Sequence, residues 1–483
     1  MTLAEYCACD GLALAQFVRS GEVTPQELYE LAVQAIARID PRINAIVGPT
    51  PEAAAAAIER RPSTEPFAGV PFLLKDIGAH MAGVPQEMGA RSCRGYRLDY
   101  DSELAARFRL AGLVTIGRSA VPEFGCGITT ESAATGPTRN PWNLVHSAGG
   151  SSGGACAAVA AGIVPIAHAN DGGGSIRVPA AHCAVFGLKP SRGRQPSGPD
   201  ADELAFGLCV EHVVTRSVRD SAAMLDATWG ADVGARLALP RPETTFLESL
   251  THARRPLRIA YSAEPIRGAL QTHPECMKAV ESAVRLCREL GHDVREGRPE
   301  YSLSEICKPW LDLSCSGFSG GIRGVERVTR RRVELQDLEP ATAAVLEYAR
   351  RLTADDLVAA LQATNGLSRR LGAFFERYDV LITPVGSVPP PLLGDYDSSV
   401  VPGSALEWVE HSMSAVPYVA AFNQTGQPAM SVPLYWSDGG LPIGTQFAAR
   451  LGQEATLLAL ASELEAARPW AHRHPPLWPT GQL

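Results

Sequence analysis

The sequence predicts an α/β fold, a sheet flanked by helices, on three observations. Short apolar runs of strand length recur at residues 70–74, 114–117, 163–167, 257–261 and 380–384. Longer stretches with apolar residues at helical spacing separate them. Residues 274–290 form one amphipathic helix that Gly291 ends, and Asp293-Val294 then opens a strand, which is a helix–strand unit of an α/β chain. The composition of the 483 residues, 45% hydrophobic and 20% charged, is that of a globular protein with ample material for a large core. Length alone suggests two or three domains.

Taken in order, residues 10–20 carry apolar side chains at helical spacing. Thr24 reads as an N-cap with Pro25 at the first helical position, followed by a stripe of Leu28, Leu31, Ala32, Ala35 and Ile36. Residues 51–60 are alanine-rich and helical. The run 70–74 is a core strand that ends at Lys75, with Asp76 beside it as an orienting or a structural residue. A lysine after an apolar run is ordinarily exposed. Residues 101–111 read as helix. Residues 155–161 are an alanine-rich helix that Gly162 and Pro165 end. The strand 163–167 leads to Asn170-Asp171-Gly172-Gly173-Gly174, read as a tight turn, and Ser175 opens the next short helix. A polar loop runs to Glu203, 220–229 is helical, and the proline-containing link 239–245 bounds the first half of the core. Residues 306–364 are largely helical. Residues 387–404 form a long proline- and glycine-containing loop, a candidate lid or entrance. Residues 455–467 are a striped helix, and no internal repeat is present.

The chemistry concentrates between residues 147 and 194. Two glycine clusters, Gly149-Gly150-Ser151-Ser152-Gly153-Gly154 and Gly172-Gly173-Gly174-Ser175, bracket an apolar run. Glycine lets another group approach the main chain closely. A serine on such a turn, with free N–H donors and a helix N-terminus beside it, suits a nucleophile next to an oxyanion hole. Two flexible loops would seldom bracket so apolar a run. Residues 149–153 also fit G-x-S-x-G, which would make Ser151 the nucleophile with a histidine base downstream. The C-terminal His472 and His474 lie in a proline-rich tail, a poor place for that base. No G-K-[ST] follows either cluster, which excludes a Walker-type phosphate loop, and neither H-E-x-x-H nor a paired C-x-x-C is present. His168 and His182 read as core or supporting residues.

The net charge of −8 with no basic block argues against nucleic acid as a partner. The first residues lack a positive region and a sustained apolar core, so no secretory leader is expected. No apolar run approaches the length of a membrane span. Eleven scattered cysteines fit reduced thiols and a cytoplasmic protein.

The stretch closely resembles the amidase signature enzymes, whose pattern runs G-G-S-S-G-G, a small-residue helix, D-x-G-G-S-I-R, then P-A and G-L-K-P. Their lysine lies upstream in G-V-P-x-x-x-K-D, matched here by residues 69–76. Ser151 and Ser175 are 24 positions apart, the spacing of that pattern. The resemblance implies one large domain over residues 1–483 with a mixed central β-sheet flanked by helices on both faces. Core motifs would lie at 66–195 and 378–448, with a variable pocket-capping helical region at about 300–375. It implies a Ser–cis-Ser–Lys triad, with Ser175 as nucleophile, Ser151 as proton relay after a cis peptide bond, and Lys75 as a buried base whose pKa is lowered.

By the same resemblance, backbone N–H groups of Gly172, Gly173, Gly174 and Ser175 hold the oxyanion, and Ser152, Asp171 and Arg177 support the loops. The region 122–143 would wall the acyl pocket, so Cys126 either lines it or packs behind it. Cys315, in the capping region, is a second candidate for touching substrate. The implied function is hydrolysis of a small-molecule amide C–N bond through a seryl acyl-enzyme, with side activity on esters or carbamates and no metal or organic cofactor. A carbamate or ester hydrolase on the same fold fits equally. The amidase subunit of a tRNA-dependent amidotransferase is a rival, but its D-T-G-G-S and A-R-Y-D-G signatures are absent. The chain departs from the common pattern at Ala169-Asn170-Asp171, in place of G-T-D, and at Ser191, in place of threonine. The A-H-x-N-D form and T-R-N-P-W-N resemble a bacterial subgroup that includes hydrolases of the 6-aminohexanoate cyclic dimer. A homodimer is a family-level expectation.

Overall fold

The central strands are buried along their whole length, so both faces of one sheet are covered. The computed structural model describes residues 1–60, 64–251, 255–399 and 403–481. In chain order the strands are β1 (Ile46–Pro49), β2 (Pro71–Lys75), β3 (Val114–Ser119), β4 (Glu131–Ser132), β5 (Gly136–Pro137), β6 (Arg139–Asn140), β7 (Asn143–Ser147) and β8 (Ile166–Asp171). They continue with β9 (Phe186–Lys189), β10 (Val210–Thr215), β11 (Arg258–Tyr261), β12 (Asp293–Glu296), β13 (Val380–Pro384), β14 (Ala429–Val432) and β15 (Thr445–Ala449). Eleven of them form a mixed sheet in the order β1-β3-β2-β8-β10-β9-β14-β15-β13-β11-β12, and β4–β7 form two short ribbons.

On one face Ile259, Val380, Ile382, Met430, Val432 and Phe447 pack with the helices Pro274–Glu289 and Glu454–Ala467. Their neighbours Ala260, Leu381, Ala429 and Ala448 point the other way, into the helices Leu303–Thr329, Pro340–Ala349, Ala354–Arg377 and Ala405–Ala415. The first three of these helices overlap the stretch read as largely helical, residues 306–364, while Ala405–Ala415 lies beyond it. A second core gathers the N-terminal helices, β2, β8 and the helix Gly153–Ala160. The Thr24 cap forms as read, completed by Glu27 into a capping box, with Pro25 at the first helical position.

Three local readings need correction. The strand before the second glycine cluster is β8, which runs from Ile166 through Asp171, so Asn170 and Asp171 end a strand instead of belonging to the turn. The helix after Ser175 begins at Arg177 and runs to Cys183. Strand β10 was read as no element; its Glu211 and His212 are polar yet buried, which hides the alternation a strand normally shows. The loop after β13 is held against β7, through Ser147 N–H to the Pro391 carbonyl and Leu393 N–H to the Val145 carbonyl. Its residues 400–402 lie outside the described residues.

The site follows from the pairing of β2 with its neighbours. β2 and β8 are parallel, with Phe72 opposite Ile166 and Leu73 opposite Ala167. Lys75 at the end of β2 therefore arrives beside Ala169 and Asn170 at the end of β8. β10 runs antiparallel to β8 and sets Glu211 opposite Asn170. The carboxyl ends of parallel strands are where open α/β sheets place their sites.

Candidate active site

Lys75 is fully buried. Its Nζ lies 2.8 Å from Ser151 Oγ, 2.7 Å from Ser152 Oγ and 2.6 Å from Asn170 Oδ1. Burial pushes its pKa down to about 8, against the pull of Cys209, Glu211 and Asp171. Counting protons shows how the neutral amine fits. Asn170 Oδ1 can only accept, because its Nδ2 donates to the Ile77 carbonyl at 3.1 Å. The Ser152 hydroxyl donates to the Asn170 carbonyl at 3.2 Å, so it too accepts from the lysine. Both N–H bonds of a neutral Lys75 are then used, and its lone pair is left to take the Ser151 proton. The ammonium form donates to all three partners without moving a heavy atom.

The first glycine cluster is packed too closely for side chains. A Cβ at Gly150 would stand 2.4 Å from the Thr129 carbonyl oxygen, and one at Gly154 would stand 2.3 Å from the Ala120 nitrogen. Thr130 Oγ1 donates to the Gly149 carbonyl at 2.8 Å and accepts from Gly153 N–H at 3.2 Å. The Gly150–Ser151 peptide is cis. Ser152 is the N-cap of helix Gly153–Ala160 but makes no side-chain cap, since its hydroxyl is turned to Lys75.

The second cluster is shaped by Asp171. Arg177 Nε and Nη2 each donate to its carboxylate at 2.9 Å, Asn423 Nδ2 donates at 2.8 Å, and the N–H groups of Gly174 and Ile176 donate at 2.7 and 3.1 Å. Burial works to raise the Asp171 pKa, but Arg177 overcomes it and holds the group well below the usual carboxylate range. Arg177 Nη1 also donates to the Val419 carbonyl and to Gln446 Oε1, both at 2.8 Å, which ties the turn to the C-terminal strands. The two serine loops meet where Ser152 N–H donates to the Ser175 carbonyl at 3.2 Å. Ser175 itself is half-buried.

Gly174 N–H is thus committed to Asp171. Among the described residues, the N–H groups of Gly172, Gly173 and Ser175 donate to no protein acceptor. Trp310 Nε1 donates to the Gly172 carbonyl at 2.7 Å, and its ring lies over Gly173. Because C=O and N–H point oppositely across a trans peptide, this anchor also aims the Gly173 N–H. Gly174 packs against Val419, and Gly172 faces Cys209.

The remaining sequence candidates fall as follows. Cys126 is half-buried beside Gly125, which approaches Ser151, and its thiol is pushed up to about 12 by burial. Cys315 is fully buried among Leu311, Ala341 and Val345 of the helical cap, with its Sγ 3.8 Å from the Val345 carbonyl. Asp76 is structural: it receives Arg118 Nη1 at 2.6 Å and Glu87 N–H at 3.0 Å. His182 is buried, and burial lowers its pKa to about 3. His168 accepts the Lys75 backbone N–H at Nδ1 (3.2 Å) and meets Glu211 at Nε2 (2.5 Å). Sequence reasoning missed Glu211 and Trp310. It noticed Asn170 only as a departure from a pattern; a polar residue two positions after a buried histidine on a core strand shares its face, and that was the available signal. Among the described residues no group of three or more His, Cys, Asp or Glu is placed to hold a metal ion. No helix among them is long and apolar enough to cross a membrane.

A mixed α/β sheet whose strand ends bring a buried lysine onto a serine, beside a serine turn with unpaired N–H donors, can support hydrolytic acyl transfer. Comparison with known proteins specifies the class. The chain belongs to the amidase signature family: the family model described as Amidase matches residues 27–458. It is 35% identical over 480 residues to a 6-aminohexanoate-cyclic-dimer hydrolase of Pseudomonas sp. (strain NK87), covering 97% of this chain and 96% of that one. The solved structure of 6-aminohexanoate cyclic dimer hydrolase complexed with substrate superposes with a TM-score of 0.90 at 34% identity, covering 98% of this chain and 99% of that chain. A bacterial aryl acylamidase of the amidase signature family superposes with a TM-score of 0.87 at 26% identity, covering 98% and 99%. The protein is an amide hydrolase of this family.

Proposed function

We propose that this enzyme cleaves carboxylic amides, linear or cyclic, through a seryl acyl-enzyme in which Ser175 is the nucleophile, Ser151 the proton relay and Lys75 the base. The observation that carries this reading is the contact of the buried Lys75 amine with Ser151. As Ser175 Oγ bonds to the amide carbon, its proton passes to Ser151 Oγ and the Ser151 proton passes to Lys75 Nζ. The carbonyl π pair moves onto oxygen, where the N–H groups of Gly172, Gly173 and Ser175 receive it. Gly174 is left out of this set because its N–H holds Asp171. Collapse of the tetrahedral adduct returns the proton through Ser151 to the leaving nitrogen, and water repeats the sequence on the acyl-enzyme.

Ser152 acts on the lysine directly, while Asp171 and Arg177 hold the turn. Trp310, Val419 and Cys209 give the glycine turn a largely apolar surround, which favours an apolar acyl group. The kinship with cyclic-dimer hydrolases places secondary and cyclic amides first among the compounds to try.

The test is hydrolysis of a panel of amides, anilides, cyclic amides, carbamates and esters by wild type and Ser175→Ala, with intact-mass analysis after a serine-directed inhibitor. Activity and an adduct in wild type, both absent from Ser175→Ala, support the reading. An active Ser175→Ala with the adduct on Ser151 overturns it. A preference for esters or carbamates moves the substrate class, and activity only with co-purified subunits assigns the chain to an amidotransferase-like complex.

A further inference from the structure

We propose that Glu211 is the counter-charge of the lysine base, acting through the amide of Asn170; both are positioning residues. This rests on the reading of Lys75 as the base. Glu211 is buried at the sheet position opposite Asn170. Asn170 Nδ2 donates to Glu211 Oε1 at 3.4 Å and to the Ile77 carbonyl at 3.1 Å, and the same amide presents Oδ1 to Lys75 Nζ at 2.6 Å. A carboxylate, an amide dipole and an amine therefore stand in line. When Lys75 takes the proton of Ser151 it becomes an ammonium, and the amide between it and Glu211 is already oriented for that charge.

The other groups facing the lysine do not fill this role. Of the titratable groups that act on it, Cys209 and Cys156 have thiols pushed well above the ordinary range by burial, so they carry no charge at neutral pH. The Asp171 carboxylate is bound on both oxygens by Arg177. Ser151 and Ser152 are neutral. That leaves Glu211.

Among the described residues no lysine or arginine forms an ion pair with Glu211. His168 accepts the Lys75 backbone N–H at Nδ1, which puts the ring proton on Nε2, and that proton is donated to Glu211 Oε2 at 2.5 Å. His168 thus orients Glu211 and links it a second time to the lysine's own peptide. His80 also lies within electrostatic reach of Glu211, but burial lowers its pKa, which favours the neutral ring. The approach is built into the backbone: Gly78, at φ +99°, would as alanine put a Cβ 2.4 Å from Glu211 Oε1 and 2.5 Å from Asn170 Nδ2.

The experiment measures the rate of Ser175 labelling by a fluorophosphonate against pH for wild type, Glu211→Gln, Asn170→Leu and Lys75→Met, with thermal unfolding to verify folding. Removing the counter-charge, or the dipole that conveys it, makes the ammonium harder to form. The acid limb of the profile then moves to lower pH by about one unit, and the plateau rate falls about tenfold or more. That result in both Glu211→Gln and Asn170→Leu supports the proposal. A limb that stays in place in the folded variants overturns it, whatever the plateau does, because a purely structural role lowers the rate without moving the limb. If Glu211→Gln does not fold, Asn170→Leu alone decides. Lys75→Met separates the two readings: labelling that matches wild type at every pH removes the lysine base itself, whereas a lost limb in Lys75→Met beside an unmoved one in the other variants removes only the role of Glu211.

Discussion

Ser152 Oγ lies 2.7 Å from Lys75 Nζ, no farther than the 2.8 Å that separates the lysine from Ser151. In the proposed mechanism Ser152 sets the direction of proton transfer, since its hydroxyl is spent on the Asn170 carbonyl and can only accept from the lysine. Ser152→Ala leaves one lysine N–H without a partner and frees the amine to turn from Ser151. Loss of one buried partner costs about 1–3 kcal/mol, so kcat falls roughly tenfold to a hundredfold. KM changes little, and steady-state kinetics on any accepted amide checks the split.

The pH profile follows from the lysine. Burial lowers its pKa to about 8, and in the proposed mechanism the base works as the neutral amine, so kcat/KM is expected to rise with pH through about pH 8 and to level above it. A limb near the ordinary histidine value of about 6.5 would point to a histidine base instead. Substrates without a titratable group, measured over the full pH range, give the answer.

Arg177→Met strips the Asp171 carboxylate of its ion pair while leaving it buried. Removing one partner of a buried pair costs about 3–5 kcal/mol. We expect a drop of that size in urea unfolding, together with loss of activity as the Ser175 turn relaxes. Asp171→Asn with Arg177→Met should recover part of the stability and none of the activity.

Glu123 gives a stability prediction of the opposite sign. Burial raises its pKa to about 7, with the neighbouring Glu339 carboxylate adding to the effect, although the Glu339 N–H donates to it at 2.7 Å. The folded pKa lies above the unfolded one, so the folded state binds more protons between about pH 4.5 and pH 7. Stability from this group therefore falls as pH rises across that window. Glu123→Gln removes the loss and should raise stability by about 3 kcal/mol above pH 7 and by little at pH 4. Denaturant unfolding at the two pH values tests it.

Trp310→Phe keeps the ring over Gly173 but loses the N–H that holds the Gly172 carbonyl at 2.7 Å. The Gly173 N–H is then free to swing from the oxyanion position. A fall in kcat of about tenfold is expected, less than the roughly hundredfold to thousandfold loss on removing an oxyanion donor outright. A change in KM alone would show that the indole serves only as a pocket wall.

The candidate triad residues and the two serine loops were legible because each motif that carries them is local. G-G-S-S-G-G is dense in glycine for a steric reason: Gly150 and Gly154 meet backbone atoms at distances no Cβ tolerates. The strands were legible where an apolar run dominates them, as in β2 and β13. β10 was not, because Glu211 and His212 break the apolar run. The reach of β8 was misjudged for the same reason, its last residues being His168, Ala169, Asn170 and Asp171.

By itself, then, the sequence determined the α/β class and, through motifs that each span only a few positions, pointed to Lys75, Ser151 and Ser175 as the candidates for the chemistry. The tertiary structure alone decided what surrounds the lysine and the glycine turn. Asn170 is 95 positions from Lys75, Trp310 is 138 from Gly172, and Asn423 is 252 from Asp171. It also decided that Gly174 N–H serves Asp171 and that Ser152 serves Lys75. A buried polar atom must find a partner, and which one it finds is set by strand register and packing across the sheet, quantities that no local pattern in the chain encodes.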